Sequence, residues 1–306
     1  MKITHICLIG PFTDGWNYQE NLLTKYHKNM GYEVSVITSK FTYDNNGKII
    51  VDERGQYFNE YGIKIIRLDT KFNSNYKNRF KKFRGFYTTL CAEKPDIIFV
   101  HGCQFRDIKY VAKYAKWHPN VKIYVDNHAD YSNSATNWVS KNILHKIIWK
   151  KYAKLIEPYT IKFYGVTPAR VNFLKDLYNL PEEKIDLLPM GADDEKVYLA
   201  RNDISKRKIR DKHGISRDDF LIVTGGKIDI HKRQTLLLME AVKRFNNKVK
   251  LIVFGSIDDS LKEKVNELVD NEIIQYIGWL SLMKYITTSL LQTSWFFQED
   301  ILYSGK

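Results

Sequence analysis

Cysteine is scarce in this chain. Its 306 residues include three, Cys7, Cys91 and Cys103, an odd number without CxxC spacing. Neither a disulfide framework nor a clustered zinc site is indicated, and the expected compartment is a reducing one. No run approaches the roughly 18 consecutive apolar residues of a spanning helix. The opening segment Met1–Gly10 is too short and too interrupted for a secretory core. RGG and RS tracts, C2H2 spacing and basic-region heptads are all missing, so no nucleic-acid partner is expected.

What is present is a globular composition, 44% hydrophobic and 27% charged. Folded domains run at roughly 45–50% and 25%, which excludes disordered, collagenous and low-complexity chains. At about 150 residues per domain the length suggests two domains. Basic residues number 48 against 35 acidic, a net charge of +13. Such a surplus attracts phosphate on a nucleotide, a nucleic acid or a lipid without choosing among them.

Short apolar runs alternate with amphipathic stretches over the first 190 residues. Ile3–Ile9, Glu33–Ile37, Gly62–Leu68, Pro95–His101 and Val121–Asp126 read as strands, with helices over Asn21–Asn29 (capped by Gly31) and Asp107–Trp117. This order predicts a parallel sheet covered on both faces, with its ligand crevice at the carboxyl ends of the strands. Leu187–Asp194 and the charged stretch to Arg217 interrupt the pattern and mark a boundary. Strands over Phe220–Gly226, Val249–Gly255 and Ile273–Gly278 follow, with helices over Arg233–Phe245 and Leu261–Val269. The expected domains are 1–190 and 191–281, with 282–306 as a tail.

Three places carry candidate chemistry. The glycine-bearing loop Gly10–Asn21 joins a strand to a helix and can offer backbone N–H groups to phosphate or sugar; it is neither a dinucleotide nor a Walker loop, and an ordinary turn fits it equally. His101 and His128 each end a strand, where an imidazole can bond a sugar or move a proton; Asp126, Asn127 and Asp130 add polar groups. A satisfied structural histidine is the alternative. Gly225–Gln234 follows a strand and opens a helix, and Lys227 and Lys232, five residues apart across this loop, can clamp a diphosphate. A solvated basic loop is the alternative there.

Taken in order, these pieces resemble family 4 glycosyltransferases. The resemblance spans Lys2–Ser281 and also uses Val166-Thr167-Pro168, Tyr178–Pro181, Leu188–Asp193, Val253–Ser256 and Tyr276–Ser281. It implies an α/β GT-B-like fold of two Rossmann-like, doubly wound domains facing a cleft. It also implies a retaining transferase moving a sugar from a nucleotide diphosphate sugar to a polysaccharide or lipid-linked glycan. By that resemblance His128 is catalytic and Lys227, Lys232 and Gly226 hold the donor diphosphate. Gly15, Trp16, His101 and Asp130 lie on the acceptor side of the cleft. Neither cofactor nor metal is implied. Lys227 stands where the family commonly has Arg, which replaces a two-pronged contact by a point charge.

The tail Leu282–Lys306 departs from the family and leaves the second domain incomplete. Joining each codon's third base to the next two bases allows Leu282 onward to be read as DEVYNYFFASDLVVFPGRHSVLWE. The first glutamate and one valine of that string are forced by Met283 and Trp295, which have one codon each. The shifted reading restores a helix, a strand and the donor-loop glutamate, so a frameshift near Ser281 is expected, with the chain as it stands inactive.

Two basic amphipathic stretches remain: Phe80, Phe83, Phe86, Tyr87 and Leu90 among Lys77–Arg84, and Ile143, Leu144, Ile147, Ile148 and Leu155 among Lys146–Lys154. Each fits a crossover helix packed on the sheet or an anionic membrane surface. The expected location is cytoplasmic, with a peripheral seat on the inner face of the membrane. The rival readings are a same-fold nucleotide-sugar 2-epimerase and a basic nucleic-acid- or membrane-binding protein.

Overall fold

The computed structural model describes residues 1–44, 47–70, 81–200, 203–230, 233–245 and 248–280. The chain divides into two compact units, Met1–Gly191 and Ala192–Lys306.

In the first unit the strands are β1 (Lys2–Cys7), β2 (Glu33–Ser39), β3 (Phe41–Tyr43), β4 (Ile49–Val51), β5 (Gln56–Phe58), β6 (Lys64–Leu68), β7 (Ile97–His101), β8 (Lys122–Asn127), β9 (Thr160–Gly165) and β10 (Ile185–Leu187). Eight of them form one sheet in the order β10-β9-β8-β7-β1-β2-β6-β5, and β3 pairs with β4 separately. All pairs in the large sheet are parallel except β5 with β6. The helices are α1 (Gln19–Asn29), α2 (Phe86–Glu93), α3 (Ile108–Trp117), α4 (Lys150–Ile156) and α5 (Pro168–Asp176), with a π-helical stretch Ser140–Trp149 before α4.

Consecutive buried residues on the strands serve opposite faces, as the two-residue period requires. Ile6, Ile37 and Ile66 join the core under Phe86, Leu90 and Val111. Their neighbours Cys7, Val36 and Ile65 join Phe12 and Ile63 on the other face. The chain runs outward from β1 through β2 to β6, then restarts at β7 on β1's other side. The β1/β7 gap is therefore the topological switch point, and its crevice lies beyond Cys7 and His101. At β9 the backbone of α5 comes so close that a Cβ on Gly165 would meet the Val171 nitrogen at 2.3 Å. Thr167 accepts the Arg170 N–H and Pro168 opens α5, a strong local start signal.

The two amphipathic stretches separate. Phe83, Phe86 and Leu90 are core residues, so the first stretch packs on the sheet, and Phe80 and Lys77 lie outside the described residues. In the second, Leu144 and Ile148 pack against the core while Ile147 is 62% exposed, with Ile143 and Leu155 also exposed. Among the described residues no helix is long and apolar enough to cross a membrane.

The second unit holds the parallel sheet β11 (Phe220–Ile228), β12 (Val249–Ile257) and β13 (Ile274–Tyr276). Its helices are α6 (Asp194–Ala200), α7 (Asp203–Lys212), α8 (Gln234–Val242) and α9 (Lys262–Leu268). Leu236, Met239, Val253 and Val265 fill one face and Ile215, Leu221 and Ile252 the other. β11 does not stop at Gly225-Gly226 as the sequence reading expected. Its pairing continues to Lys227↔Ser256 and Ile228↔Ile257. The reason is a glycine crossing: a Cβ on Gly255 would meet the Gly226 carbonyl oxygen at 1.9 Å, and one on Gly225 would meet the Phe254 ring at 2.2 Å. Lys227 is thus a strand residue rather than a loop residue. Lys232 and Ser281–Lys306 lie outside the described residues.

Candidate functional site

The carboxyl ends of β1, β7 and β8 assemble a cluster of imidazoles around one carboxylate. His101 and Asp126 are register partners on adjacent parallel strands, so their side chains rise on the same face. His101 Nδ1 lies 2.8 Å from Asp126 Oδ2, and His128 Nε2 lies 3.2 Å from Oδ1. Asp126 and His101 are buried, whereas the His128 side chain keeps 27% exposure. Burial opposes ionisation of Asp126, but attraction to His101 and His128 outweighs it and holds the carboxyl below the usual carboxylate range. Burial likewise opposes a charge on His101, yet Asp126 raises its pKa above the ordinary imidazole value. His128 is therefore the partly open member of a cluster with a fixed anion behind it.

His101, Asp126 and His128 present metal-ligand-type atoms within 4.8 Å of one another. The carboxylate already faces an imidazole at each oxygen, and both His101 nitrogens are in hydrogen bonds. Oδ2 is thus in a hydrogen bond with His101, while Oδ1 stands in a longer ion-pair contact with His128.

Behind it, Asn127 Oδ1 accepts from Gln104 Nε2 at 2.8 Å, and Gln104 Nε2 also donates to the Tyr178 hydroxyl at 3.1 Å. Tyr178 meets His145 Nδ1 at 2.8 Å. Asp130 differs from the sequence reading. Its Oδ1 accepts from Ser132 and Asn133 at 2.6–2.9 Å, and Oδ2 stands 3.2 Å from Arg170 Nε. A carboxylate so engaged braces the turn after His128.

The loop after β1 also departs from expectation. Gly15 takes φ +74°, a left-handed conformation that glycine adopts without strain. Its N–H, however, donates to Glu60 Oε1 at 2.7 Å, so this amide is already engaged by an anion. Trp16 stacks on Tyr43 with ring centroids 5.0 Å apart and planes 6° apart. Together they help line a cavity of about 520 Å³ with Thr13, Asp14, Asp52 and Arg54. Arg54 holds Asp52 (Nη2–Oδ2 2.6 Å) and Asp14 (2.8 Å), and its hydrogen bonds depress the Asp52 carboxyl to about 2. Under the floor, the buried Arg67 guanidinium binds the carbonyls of Ser39 and Phe12 and the Tyr57 hydroxyl. Trp16 was singled out from sequence; Asp14, Asp52, Arg54 and Arg67 were not, because the β3–β4 hairpin that gathers them has no strong local signal.

On the second unit, Gly226 has φ +128° at the glycine crossing. The backbone places Lys227 one residue before the carboxyl end of β11, ahead of α8.

No protein-family model matches the chain, and no curated protein sequence does. Solved structures do match. The catalytic domain of starch synthase IV from Arabidopsis thaliana, bound to ADP and acarbose, aligns with a TM-score of 0.65 at 13% identity, over 95% of this chain and 77% of that one. HepE of Anabaena, in complex with UDP and glucose, gives 0.57 at 14%, over 92% and 70%. The UDP-GlcNAc 2-epimerase of Neisseria meningitidis, bound to UDP-GlcNAc, gives 0.52 at 12%, over 94% and 74%. At these identities the likeness is one of architecture: the chain has the α/β fold of GT-B glycosyltransferases.

Proposed function

We propose that this protein is a glycosyltransferase using a nucleoside-diphosphate sugar. The observation that carries this reading is the His101–Asp126–His128 cluster at the carboxyl ends of β7 and β8 beside a switch point, on a fold whose solved neighbours hold UDP or ADP. In the proposed reaction an acceptor hydroxyl oxygen bonds to the sugar's anomeric carbon as the bond to the diphosphate breaks. The hydroxyl proton leaves with the diphosphate. Lys227 and Lys232 stabilise the diphosphate charge, Gly226 lets it approach the backbone, and His128 bonds the sugar. The cavity beside Trp16, with its aromatic wall of Trp16 and Tyr43, suits the face of an acceptor sugar ring. Retention of anomeric configuration, family 4 membership and a cytoplasmic site of action belong to the same proposal.

The shifted reading of residues 282–306 is part of this proposal, so the assay compares two proteins. Nucleotide release from UDP- or ADP-sugars is expected from a version carrying the shifted frame and its continuation, and not from the 306-residue chain. In the active version His128→Ala is expected to lower turnover on the order of 100-fold with little change in melting temperature. Trp16→Ala is expected to raise the acceptor KM alone. Equal turnover by His128→Ala would remove the histidine from the reaction.

The epimerase likeness keeps a second reading in view, and conversion of UDP-GlcNAc to its 2-epimer without an acceptor would establish it.

We also propose that the outer face of the π-helical stretch rests on an anionic membrane. Ile143 and Ile147 are exposed there, as are Trp138 (70%) and Val139 at its entrance and Leu155 on the following α4, among Lys141, Lys146 and Lys151. Sedimentation with phosphatidylserine vesicles is expected to retain the protein at low salt. Ile147→Glu should weaken it by roughly tenfold, the worth of one buried aliphatic side chain. Equal binding to neutral vesicles would contradict the electrostatic half of this reading.

A further inference from the structure

The mechanism above uses His101, Asp126 and His128 and leaves two further histidines unexplained. His5 sits on β1, wholly buried. His27 sits in the last turn of α1, half-buried. Their rings continue the cluster in a line: His27 Nδ1 lies 3.0 Å from His5 Nε2, and His5 Nδ1 lies 3.0 Å from His101 Nε2. The His5 and His101 rings are stacked, with planes 15° apart. Phe99 packs on both, its centroid 5.5 Å from His5 and 4.9 Å from His101. Four titratable side chains thus form one chain of short contacts from α1 through β1 and β7 to Asp126 on β8.

The anion at one end dictates the direction of every bond. Asp126 is ionised, so His101 must donate from Nδ1. A neutral His101 then has only a lone pair at Nε2, so His5 donates to it from Nδ1. His5 Nε2 is left an acceptor, and His27 donates to it from Nδ1. All three N–H groups point toward the carboxylate, and a lone pair at His27 Nε2 ends the chain.

We propose that His27, His5 and His101 are a proton wire that loads and unloads the Asp126–His101 pair from the α1 side of the sheet. A proton from water binds His27 Nε2. His27 passes its Nδ1 proton to His5 Nε2, and His5 passes its Nδ1 proton to His101 Nε2. The net change is one proton gained, carried by His101, with His27 and His5 neutral again in the opposite tautomer. The reverse hops return the proton to water. Only His101 has a buried anion beside it, so only there is the cation compensated. Burial pushes His5 and His27 below the ordinary imidazole value, while Asp126 lifts His101 above it. The other titratable groups facing the line are Glu20 on α1, Cys7 on β1, whose thiol burial keeps neutral, and Tyr32, edge-on to His27 at 6.2 Å.

The wire gives His5 and His27 a positioning role toward His128, and this consequence rests on the proposed function. While His101 is neutral, the full charge of Asp126 faces His128. Once His101 is charged, that anion is shared.

Imidazole 15N spectra of the histidine-labelled full chain test the wire without any substrate. At a pH above the titration of His101, located in the same spectra, His27, His5 and His101 are expected as Nδ1–H tautomers. An Nε2–H tautomer at His5 or His101 overturns the proposal. In His27→Phe, the rate at which His101 gains and loses its Nε2 proton, read from exchange broadening of its ring 15N signals across its titration, is expected to fall about tenfold or more, because the route through His5 no longer reaches water. Unchanged exchange in a folded His27→Phe protein likewise overturns the wire. The wild-type tautomers decide the matter should that variant fail to fold. Titration of UDP and ADP into a labelled version carrying the shifted frame and its continuation reads the proposed function separately: absence of the tautomer pattern with nucleotide bound refutes the wire alone, and the pattern with neither nucleotide bound refutes the function alone.

Discussion

Asp126→Asn is expected to cost the first unit about 3–5 kcal/mol, the usual loss when one partner of a buried ion pair is removed. Asp126 is fully buried between two histidines, and an amide can accept from one of them only by presenting N–H groups to the other. Urea unfolding at pH 7 measures the loss, and a change below about 1 kcal/mol, the scale of an ordinary exposed pair, would show the cluster to be far more hydrated than its burial indicates. The pH dependence follows from the directions of the shifts. Asp126 is depressed, so its contribution is present above the ordinary carboxylate value and is lost only as pH falls through its lower folded value. His101 is raised, so its contribution is complete below the ordinary imidazole value and is lost as pH rises through its folded value. His5 and His27 are lowered. Below about pH 6.5 the unfolded chain takes up their protons and the folded one does not. Two lowered histidines outnumber the raised one, so stability is expected to fall between pH 7 and 5. The fall should be steeper in Asp126→Asn, which loses the anion that lifts His101.

Much of this architecture was readable because a parallel sheet buried on both faces writes its strands as nearly continuous apolar runs. β1, β2, β6, β7 and β8 are of that kind, and with them came His101 and His128 as strand-end residues. β9 and β10 were missed: in Thr160–Gly165 the exposed Ile161 and half-buried Lys162 interrupt the apolar run, and Ile185–Leu187 is three residues long. The antiparallel additions β3, β4 and β5 were missed for the same reason. His5 lay inside a recognised strand but carried no sign of its partners, which are 22 and 96 residues away. Only strand order brings them together. At Gly225-Gly226 the residue type misled. Glycine ordinarily ends a strand, but here Gly226 and Gly255 face each other in register and let two backbones meet where side chains would collide. At Asp130 the sequence shows a carboxylate after a strand end but not its partners, since Oδ1 accepts from Ser132 and Asn133 and Oδ2 faces Arg170, 40 residues on.

In the version carrying the shifted frame, replacing Lys227 and Lys232 together by alanine is expected to weaken UDP or ADP binding by about 2–4 kcal/mol, the sum of two charge-assisted contacts at one to two kcal/mol each. In an open parallel sheet, ligands gather beyond the carboxyl ends of the strands. The extension of β11 to Ile228 carries Lys227 to that end. The glycine crossing leaves the carboxyl ends of β11 and β12 without side chains at Gly226 and Gly255, which allows a phosphate to approach the backbone closely. α8 begins at Gln234, so its positive end adds to the same field. Because Lys227 offers a point charge where a guanidinium would offer a fork, Lys227→Arg is expected to hold or raise affinity, whereas Lys227→Gln should lose about as much as Lys227→Ala. Calorimetric titration with UDP, ADP and inorganic pyrophosphate separates the contributions. If the lysines grip the diphosphate, all three ligands weaken together in the double variant. Nucleotide affinity that survives the double substitution unchanged would move the diphosphate site away from the end of β11.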